Sequence, residues 1–570
     1  MARLKDFTGI EDTDLFAQDH GLERLLGSLL PEAERAAVFT SLHECGRRAA
    51  GPWGALAVEG SRPEQLPRIV HEDRVRNPVE RVEFGAHTRQ LRREVAAFGV
   101  LTSARNELHR FAMIYLLAHN GEASLMCPVA CTDGLLRALA AVGGDTLREQ
   151  YYGRVASAEI PFGGAQFVTD QVGGSDVGAI ETVAQPVGEG VWAITGEKWF
   201  CSNPDEFFVV GARPKDGPAG TQGVAIFLVP RVLPDGRLNS LRIRRLKDKL
   251  GTRSLPTAEI DFEGATAFPL GDPRDGFQHL MNYIINTSRL HNAANALGFM
   301  HRAYLEARNY AHQREAFGRA IAGYPLVQET LVGLLATLAR ERTLFFRLVA
   351  LIDAHGLVPE DKDQRLWQRC LTNMAKYRTA VVLTAHIRDA ILVFGGNGIV
   401  EDFTILPRLL RDALIIETWE GTHNTLCLQL VRDLERFDFA GRWRRAVEDV
   451  LDRWPAGVLG RTRERLDAAY GRVGRHLEAA CRNPQWVQTH ARRLVDGVAG
   501  VLAVAWMVED AVGELAHDAA PALLAAVAAD QLWANDGERI DEHRHPAPPD
   551  VAPALIDEMA VAAPSWIDSV

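Results

Sequence analysis

The chain has 570 residues, of which 47% are hydrophobic and 24% are charged, and its formal net charge is −11. This length predicts two to four domains, and the composition is ordinary for a globular protein. The negative charge argues against a general affinity for nucleic acid or anionic membranes, because phosphate groups bind to cationic surfaces.

The cysteines and the apolar runs indicate a cytoplasmic protein that binds no membrane. Seven cysteines scattered over a large chain suit free thiols in a reducing cytosol. We expect no run long enough to span a bilayer, and residues 1–7 lack the apolar stretch of a secretion signal. His119, Cys127 and Cys131 are a tempting metal cluster. The two cysteines have helical spacing in an apolar stretch, so we interpret them as buried thiols and expect no metal.

The pattern along the chain predicts four regions, which alternate in secondary structure. They are a helical domain at 1–160, a β domain at 161–270, a helical bundle at 271–435 and an extra helical domain at 436–570.

The first region shows helical spacing at Leu91, Val95, Phe98 and Leu101. Short β-branched and aromatic runs at 191–195, 224–229 and 258–262 predict the strands of the second region. A leucine stripe at 326–338 predicts one long helix in the third region, and the segment 371–393 predicts another. In the fourth region we expect a loop at 541–549 before a short final helix.

Three motifs follow one another in the third region. They are Phe394-Gly395-Gly396-Asn397-Gly398, Arg411-Asp412-Ala413 and Trp419-Glu420-Gly421-Thr422. A glutamate in a turn can be an ordinary surface residue or a general base.

Two further segments stand out in the β region. They are Thr169-Asp170-Gln171-Val172-Gly173-Gly174-Ser175-Asp176 and Lys198-Trp199-Phe200-Cys201-Ser202-Asn203. Backbone donors of such a glycine-containing loop can stabilise negative charge on a ligand. A further motif, Arg314-Glu315-Ala316-Phe317-Gly318, offers an arginine, whose forked guanidinium suits a diphosphate.

Together these motifs resemble those of the acyl-CoA dehydrogenase family, and within it the adaptive-response flavoproteins associated with alkylation damage. The likeness covers about residues 90–435, and the runs 233–237 and 244–254 are typical of that branch. It implies an α+β fold with an N-terminal helical domain, a middle β domain and a C-terminal helical bundle, to which this chain adds a helical domain.

The resemblance implies that Glu420 is the catalytic base, which removes the α proton of an acyl thioester. Some family members carry the base before an Arg-Leu pair on the first long helix, where this chain has Ser288. Glu420 therefore has no competitor. Arg289 matches a family arginine near the base, although an ordinary salt-bridge role stays open for it.

The resemblance also implies bound FAD. The residues that match its contacts are Thr169, Gly174, Ser175, Phe200, Ser202, Arg314, Phe317, Gly395, Gly396, Thr422 and Asn424. Three family positions differ here, because Asp170 stands for a glutamate and Pro325 and Leu392 stand for glutamines. Cys201 would lie close to the flavin ring or would be a buried thiol.

As partners, the resemblance implies an acyl-CoA or acyl-carrier thioester as substrate and an electron-transfer flavoprotein or similar acceptor. It also implies a homotetramer in which Arg314 and the Gly395-Gly396 turn reach FAD of the neighbouring subunit. The expected activity is an oxidation of the EC 1.3 class.

Two other functions stay open. One is a flavin oxidase or monooxygenase on the same fold, although the nitroalkane oxidases of the family carry aspartate at the base position. The other is a protective or nucleic-acid-binding protein that uses the arginine-rich segment 442–493. Acidic residues are interleaved there, which also suits a solvated amphipathic helix pair, so we expect any DNA binding to be weak and salt-sensitive.

Overall fold

The computed structural model describes Phe7, residues 9–534, residues 551–563 and Ile567. The predicted loop at 541–549 lies outside the described residues.

Nineteen helices are numbered in chain order over the described residues. They are α1 (His20–Leu29), α2 (Glu32–Ala50), α3 (Pro52–Gly60), α4 (Ala86–Phe98), α5 (Glu107–Ala118), α6 (Met126–Val142), α7 (Gly144–Leu147), α8 (Gly153–Val155), α9 (Gly276–His279), α10 (Asn286–Gln313), α11 (Pro325–His355), α12 (Lys362–Phe394), α13 (Leu406–Ile416), α14 (His423–Arg436), α15 (Phe439–Arg453), α16 (Gly460–Arg482), α17 (Pro484–Glu514), α18 (Ala520–Ala534) and α19 (Ala552–Ile556).

Eleven strands lie in the same described ranges. They are β1 (Arg68–Glu72), β2 (Pro78–Glu83), β3 (Gly164–Phe167), β4 (Val183–Gly188), β5 (Val191–Ser202), β6 (Phe207–Pro214), β7 (Ala225–Pro230), β8 (Leu241–Leu246), β9 (Thr257–Pro269), β10 (Glu315–Ala316) and β11 (Arg319–Ala320).

The chain divides into two compact units. The first unit contains residues 1–51, 106–119 and 292–570, and the second contains residues 52–105 and 120–291. The first unit is built mainly from helices, and the second holds the seven-stranded sheet β3–β9.

The sheet of the second unit closes on itself. Strand pairs run β6–β4–β5–β9–β7 and return from β7 to β6, while β3 adds to β6 and β8 adds to β9. Alternating side chains point inwards, so Phe208, Val210, Phe227 and Ile260 are buried in one apolar core. The three predicted strands are confirmed within β5, β7 and β9.

Two features of the first 160 residues differ from the sequence expectation. The stripe from Leu91 to Leu101 does not form one helix, because α4 ends at Phe98 and Gly99 takes a left-handed φ of +85°. The antiparallel hairpin β1–β2 was missed, since its strands carry many charged residues and lack a clean alternation.

Buried ion pairs tie the added C-terminal helices to the bundle of the first unit. Glu341 on α11 accepts from Arg340 and from Arg378 on α12, each at 2.8 Å. Arg378 also pairs with Asp496 on α17. Arg340 and Glu341 are both buried. Burial would raise the pKa of Glu341, and the two guanidinium groups nevertheless hold it below its usual range.

The segment around α19 is anchored by a second buried polar group. The hydroxyl of Tyr304 donates to the carbonyl of Ile556, and Nε2 of His301 lies 3.8 Å from a carboxylate oxygen of Glu558. Asp19, His301 and Glu558 offer three possible metal-ligand atoms within 4.8 Å of one another. Asp19 already pairs with Arg342 and accepts from the Tyr115 hydroxyl at 2.5 Å, so we interpret the group as a structural network.

One stretch of the described residues, Lys362–Ile399, is long and apolar enough to cross a membrane by length and composition alone. The expectation that no such stretch exists needs correction on that criterion. The stretch contains the buried residues Lys376 and Arg378, whose charged groups bind to partners within the protein. We therefore interpret it as a core helix.

Candidate active site

Glu420 lies in the turn between α13 and α14 and is half-buried. Its φ is +56°, in the left-handed region that residues with a side chain rarely adopt. Gly421 follows with a φ of +105°. Such a conformation is stable only when the surrounding structure holds it.

The neighbouring helix α12 holds this turn. The ammonium group of Lys376 donates to the carbonyl of Glu417 at 3.1 Å and to the carbonyl of Gly421 at 2.8 Å. The hydroxyl of Thr384, also on α12, donates to the Glu417 carboxylate. Sequence reasoning missed Lys376, although a lone lysine inside the apolar run 371–393 was a usable signal.

Two predicted cofactor contacts, Thr422 and Asn424, follow the predicted base Glu420 within four positions. Thr422 precedes α14 and its hydroxyl lies 3.1 Å from that of Thr425. The side-chain oxygen of Asn424 accepts from Nε of Arg492 on α17 at 2.8 Å. An arginine of the added helices therefore reaches a predicted cofactor residue, which sequence reasoning could not see across 68 positions.

The imidazole of His423 reports on the charges around the turn. Burial lowers its pKa, and the cations Lys376 and Arg492 lower it further. The ring of His423 stands edge-on to Tyr377, with 5.7 Å between their centroids. Two cations therefore act on this ring, and an acidic group lies beside it as well, since the Glu417 carboxylate is 3.7 Å from Nε2 of His423.

Arg314 opens a short hairpin formed by β10 and β11. Its two-residue turn is Phe317-Gly318, with φ values of +51° and +90°. The Tyr324 hydroxyl supports the hairpin by donating to the carbonyl of Ala316 at 2.8 Å. Arg314 is exposed, and the side chain of Phe317 is 96% exposed.

The Gly395-Gly396 turn follows α12 and lies near the same hairpin. A Cβ at either glycine would meet no atom within 4 Å, and Gly395 has a φ of +62°. Asn397 donates to the Tyr310 hydroxyl at 3.1 Å, and the backbone N–H of Arg314 donates to the carbonyl of Tyr310 at 2.8 Å. The structure therefore brings these two predicted segments together at Tyr310.

In the second unit, Asp170 anchors the predicted flavin loop. Its carboxylate accepts from the backbone N–H groups of Glu181 at 2.7 Å and Thr182 at 2.8 Å, and it pairs with Lys198. Lys198 also donates to the carbonyl of Val168 at 3.0 Å. Both charged groups are buried, so the loop 171–180 is tied down at its two ends. Gly174 and Ser175 lie exposed within it.

A bulge in β5 sets the direction of the second flavin segment. The pairing with β9 shifts between Lys198 and Cys201, and Phe200 is 51% exposed while Cys201 is buried. The backbone N–H of Trp199 donates to the carbonyl of Thr169 at 2.9 Å, which brings the two flavin segments together. Ser202 lies 3.0 Å from the Thr257 hydroxyl.

The inward position of Cys201 supports the buried-thiol alternative. Its side chain belongs to the core of the sheet, and burial raises its pKa well above the usual value. Cys127 and Cys131 lie with their sulfur atoms 3.8 Å apart on α6. Nδ1 of His119 bonds the carbonyl of Tyr115 at 3.0 Å, and its Nε2 bonds His301 at 2.9 Å.

Arg289 is buried near the start of α10, within the second unit. The preceding Ser288 bonds the side chain of Gln166 at 3.1 Å. Glu420 belongs to the first unit, so the roles of Arg289 near the base and in an ordinary salt bridge both stay predictions.

Family models match both parts of this arrangement. A model described as the acyl-CoA dehydrogenase middle domain matches residues 165–265, and one described as the C-terminal domain matches residues 274–435. Acyl-CoA dehydrogenase family member 11 of Caenorhabditis elegans is 30% identical over 436 residues, which cover 73% of this chain and 70% of that protein. This chain belongs to the acyl-CoA dehydrogenase family.

Two further relatives support the branch and the added helices. AidB of Escherichia coli strain K12 is 31% identical over 382 residues, or 65% of this chain and 66% of AidB. The crystal structure of Caenorhabditis elegans ACDH-11 in complex with C11-CoA is similar at a TM-score of 0.85 and 26% identity, and the match covers 93% of each chain. The shared fold therefore extends into the helices beyond residue 435.

Many arginines of the segment 442–493 bind within the protein. Arg463 pairs with Asp467 at 3.0 Å, Arg444 with Glu478 at 3.6 Å, and Arg465 with Asp530. Because such pairs neutralise part of the cationic surface, they do not strengthen the nucleic-acid alternative.

Proposed function

We propose that this chain is an FAD-dependent acyl-CoA dehydrogenase that forms a double bond between the α and β carbons of an acyl thioester. The observation that carries the proposal is the turn of Glu420, which is half-buried and left-handed at the position of the family's base. A base in such a place can be shielded from bulk water while its carboxylate stays accessible to a substrate.

The predicted cofactor residues, taken unit by unit, have the chemistry that contacts to FAD require. Gly174, Gly395 and Gly396 leave open space where a side chain would stand, and Phe200 presents an exposed ring. Arg314 offers an exposed guanidinium group to a diphosphate. When bound, FAD supplies the hydride acceptor for the β carbon.

The chain's own residues supply the rest of the chemistry. The Glu420 carboxylate takes the α proton, and its backbone N–H donates to the thioester carbonyl, where negative charge develops. The substrate leaves as an α,β-unsaturated thioester. An electron-transfer flavoprotein or a similar acceptor completes the turnover.

We also propose that the protein acts as a homotetramer. Large apolar side chains, namely Phe317, Leu326, Leu392 and Ile399, are exposed on the first unit. A second copy would cover these side chains and bring Arg314 to its FAD. Light scattering together with flavin content tests this proposal, and a monomer with full FAD occupancy would contradict it.

The function is tested by the absorbance spectrum of the purified protein, followed by anaerobic titration with acyl-CoAs of increasing chain length. We expect a flavin spectrum that bleaches with at least one of them. Glu420→Gln should keep FAD and reduce the flavin about a hundredfold more slowly, because an amide cannot accept the α proton.

Glu401→Gln is the matched control, since Glu401 is exposed and pairs with Arg411. It should reduce its flavin at the wild-type rate. A protein that folds but takes up no FAD, or a Glu420→Gln variant with a normal rate, would overturn the proposal. Rapid reoxidation by oxygen with release of peroxide would identify the oxidase alternative instead.

A further inference from the structure

A fully buried lysine lies against the turn that carries the proposed base. Lys376 is 0% exposed, and its ammonium group bonds the carbonyl three residues before Glu420 and the carbonyl one residue after it. Glu420 between them is left-handed. We infer that Lys376 is a positioning residue, which holds Glu420 in its conformation by binding the carbonyls on both sides of it. This inference rests on the function proposed above.

The carbonyls of this turn need such a donor. The last carbonyls of a helix have no partner within the helix, and α13 ends at Ile416, next to Glu417. Lysine can satisfy carbonyls at this end and is attracted by the negative end of the helix dipole. An ammonium group has three N–H donors, so one lysine can bond both carbonyls at once.

The charge of Lys376 acts on the side chain of His423 in the turn. Its ammonium group lowers the pKa of His423, although burial of the ring has the larger effect. A nearby cation favours the ionised form of a carboxyl group, and only that form of Glu420 accepts a proton. The lysine therefore has two effects, one through hydrogen bonds and one through charge.

The same helix face holds the turn at a second point. Thr384 lies eight residues after Lys376, about two helical turns, and its hydroxyl donates to the Glu417 carboxylate. Two contacts from one rigid helix limit how far the turn can shift. A displacement of about 1 Å at a reacting group can slow a reaction about a hundredfold.

The test compares Lys376→Met, Lys376→Gln and Lys362→Met in the full-length, FAD-loaded protein. Methionine removes both the donors and the charge, whereas glutamine restores donors without charge. Lys362 is exposed at the start of the same helix and is the matched control. All three variants should keep FAD and unfold cooperatively.

We expect Lys376→Met to slow flavin reduction by an acyl-CoA by a factor of about ten to a hundred, with a smaller change in KM. The acid limb of its pH–rate profile should move to higher pH. Lys376→Gln should regain part of the rate but keep the shifted limb, and Lys362→Met should behave as the wild type.

Hydrogen exchange at 417–422 gives a readout that needs no substrate. Lys376→Met should exchange faster there than the wild type, and Lys362→Met should not. Unchanged exchange together with a reduction rate within about twofold of wild type would overturn the inference. Loss of FAD and of cooperative unfolding in both Lys376 variants would also overturn it, because that result indicates a general structural role.

The experiments distinguish failure of the proposed function from failure of the role inferred for Lys376. If no acyl-CoA reduces the wild-type flavin, the proposed function fails, while the exchange experiment still decides whether Lys376 holds the turn.

Discussion

Two buried lysines hold the two loops that carry most of the predicted site. The groups that their ammonium groups bond differ in charge. Lys198 in the second unit pairs with the Asp170 carboxylate, which anchors the flavin loop. Lys376 in the first unit bonds two backbone carbonyls of the base turn. Burial lowers the pKa of Lys198, and the attraction of Asp170 offsets only part of that effect.

The difference predicts how each loop responds to loss of its lysine. Without Lys198, the buried Asp170 carboxylate loses its cation, and an uncompensated buried charge is strongly unfavourable. Without Lys376, the two neutral carbonyls of Glu417 and Gly421 lose a donor, and the turn can relax towards water. The flavin loop should therefore be the more fragile in stability, and the base turn the more sensitive in geometry.

The largest expected effect comes from Lys198→Met. We expect it to lower the free energy of unfolding by about 3–5 kcal/mol, because Asp170 stays buried without a counter-charge. Urea unfolding followed by fluorescence measures the change. The double variant Lys198→Met/Asp170→Asn should recover much of the loss, since no charge is left behind. A loss no larger than that of Lys376→Met would break the comparison.

A smaller effect is expected from Asp170→Glu, which introduces the residue usual in the family. Asp170 is buried and already bonds two backbone N–H groups, the Thr182 hydroxyl and Lys198, so an extra methylene must displace some of them. We expect a loss of about 1–3 kcal/mol in urea unfolding. An unchanged stability would show that the loop adapts and is not fixed by the shorter side chain.

Acid should weaken the helical frame of the base turn. Burial lowers the pKa of His386 on α12 to about 3, and burial also lowers the pKa of His119, which follows α5 in the first unit. Below about pH 6.5 these histidines bind protons in the unfolded chain, whereas in the folded protein they stay neutral until a lower pH. The contribution of these histidines to the free energy of unfolding is therefore complete above that pH. It falls by about 1.4 kcal/mol for each histidine per unit of decreasing pH.

His386→Gln tests this dependence, because its amide can still donate to the carbonyl of Met300, which His386 bonds at 3.0 Å. The slope of the free energy of unfolding against pH, measured between pH 7 and pH 5, should be smaller in the variant than in the wild type by the contribution of one proton. The same slope in variant and wild type would mean that His386 does not contribute.

The motifs nominated the segments of a candidate site, whose roles stay predictions, and they did not show the contacts that hold those segments. The order of Gly395-Gly396, Arg411 and Glu420 was enough to predict the base turn, because it is a local property of the chain. The strands were predictable for the same reason, since alternation is local. Carbonyl acceptors have no sequence signature, so the bonds of Lys376 could not be foreseen.

Long-range pairs were likewise beyond sequence reasoning. Asn424 and Arg492 are 68 positions apart, and Asp170 and Lys198 are 28 apart, although both members of the second pair stood in quoted motifs. A single sequence gives no information on which distant charges meet. The hairpin β1–β2 was missed for another reason, because its strands carry many charged residues and show no clean alternation.

The smallest expected effect separates the charge of Lys376 from its hydrogen bonds. The pKa of His423 is lowered by burial, then by Lys376 and Arg492. Lys376→Met should raise that pKa towards the ordinary value, and Arg492→Gln should raise it less. NMR titration of labelled histidine, with His423→Gln to identify the signal, measures the shift.

A lowered histidine pKa contributes stability above about pH 6.5 that is lost as the pH falls, so a raised pKa of His423 should make the turn less acid-sensitive. Lys362→Met should leave the signal in place, because that lysine is not among the cations that lower the pKa. If Lys376→Met also leaves it in place, the lysine acts on the turn through its hydrogen bonds alone, and the two buried lysines differ as fully as their partners, a carboxylate and two carbonyls, suggest.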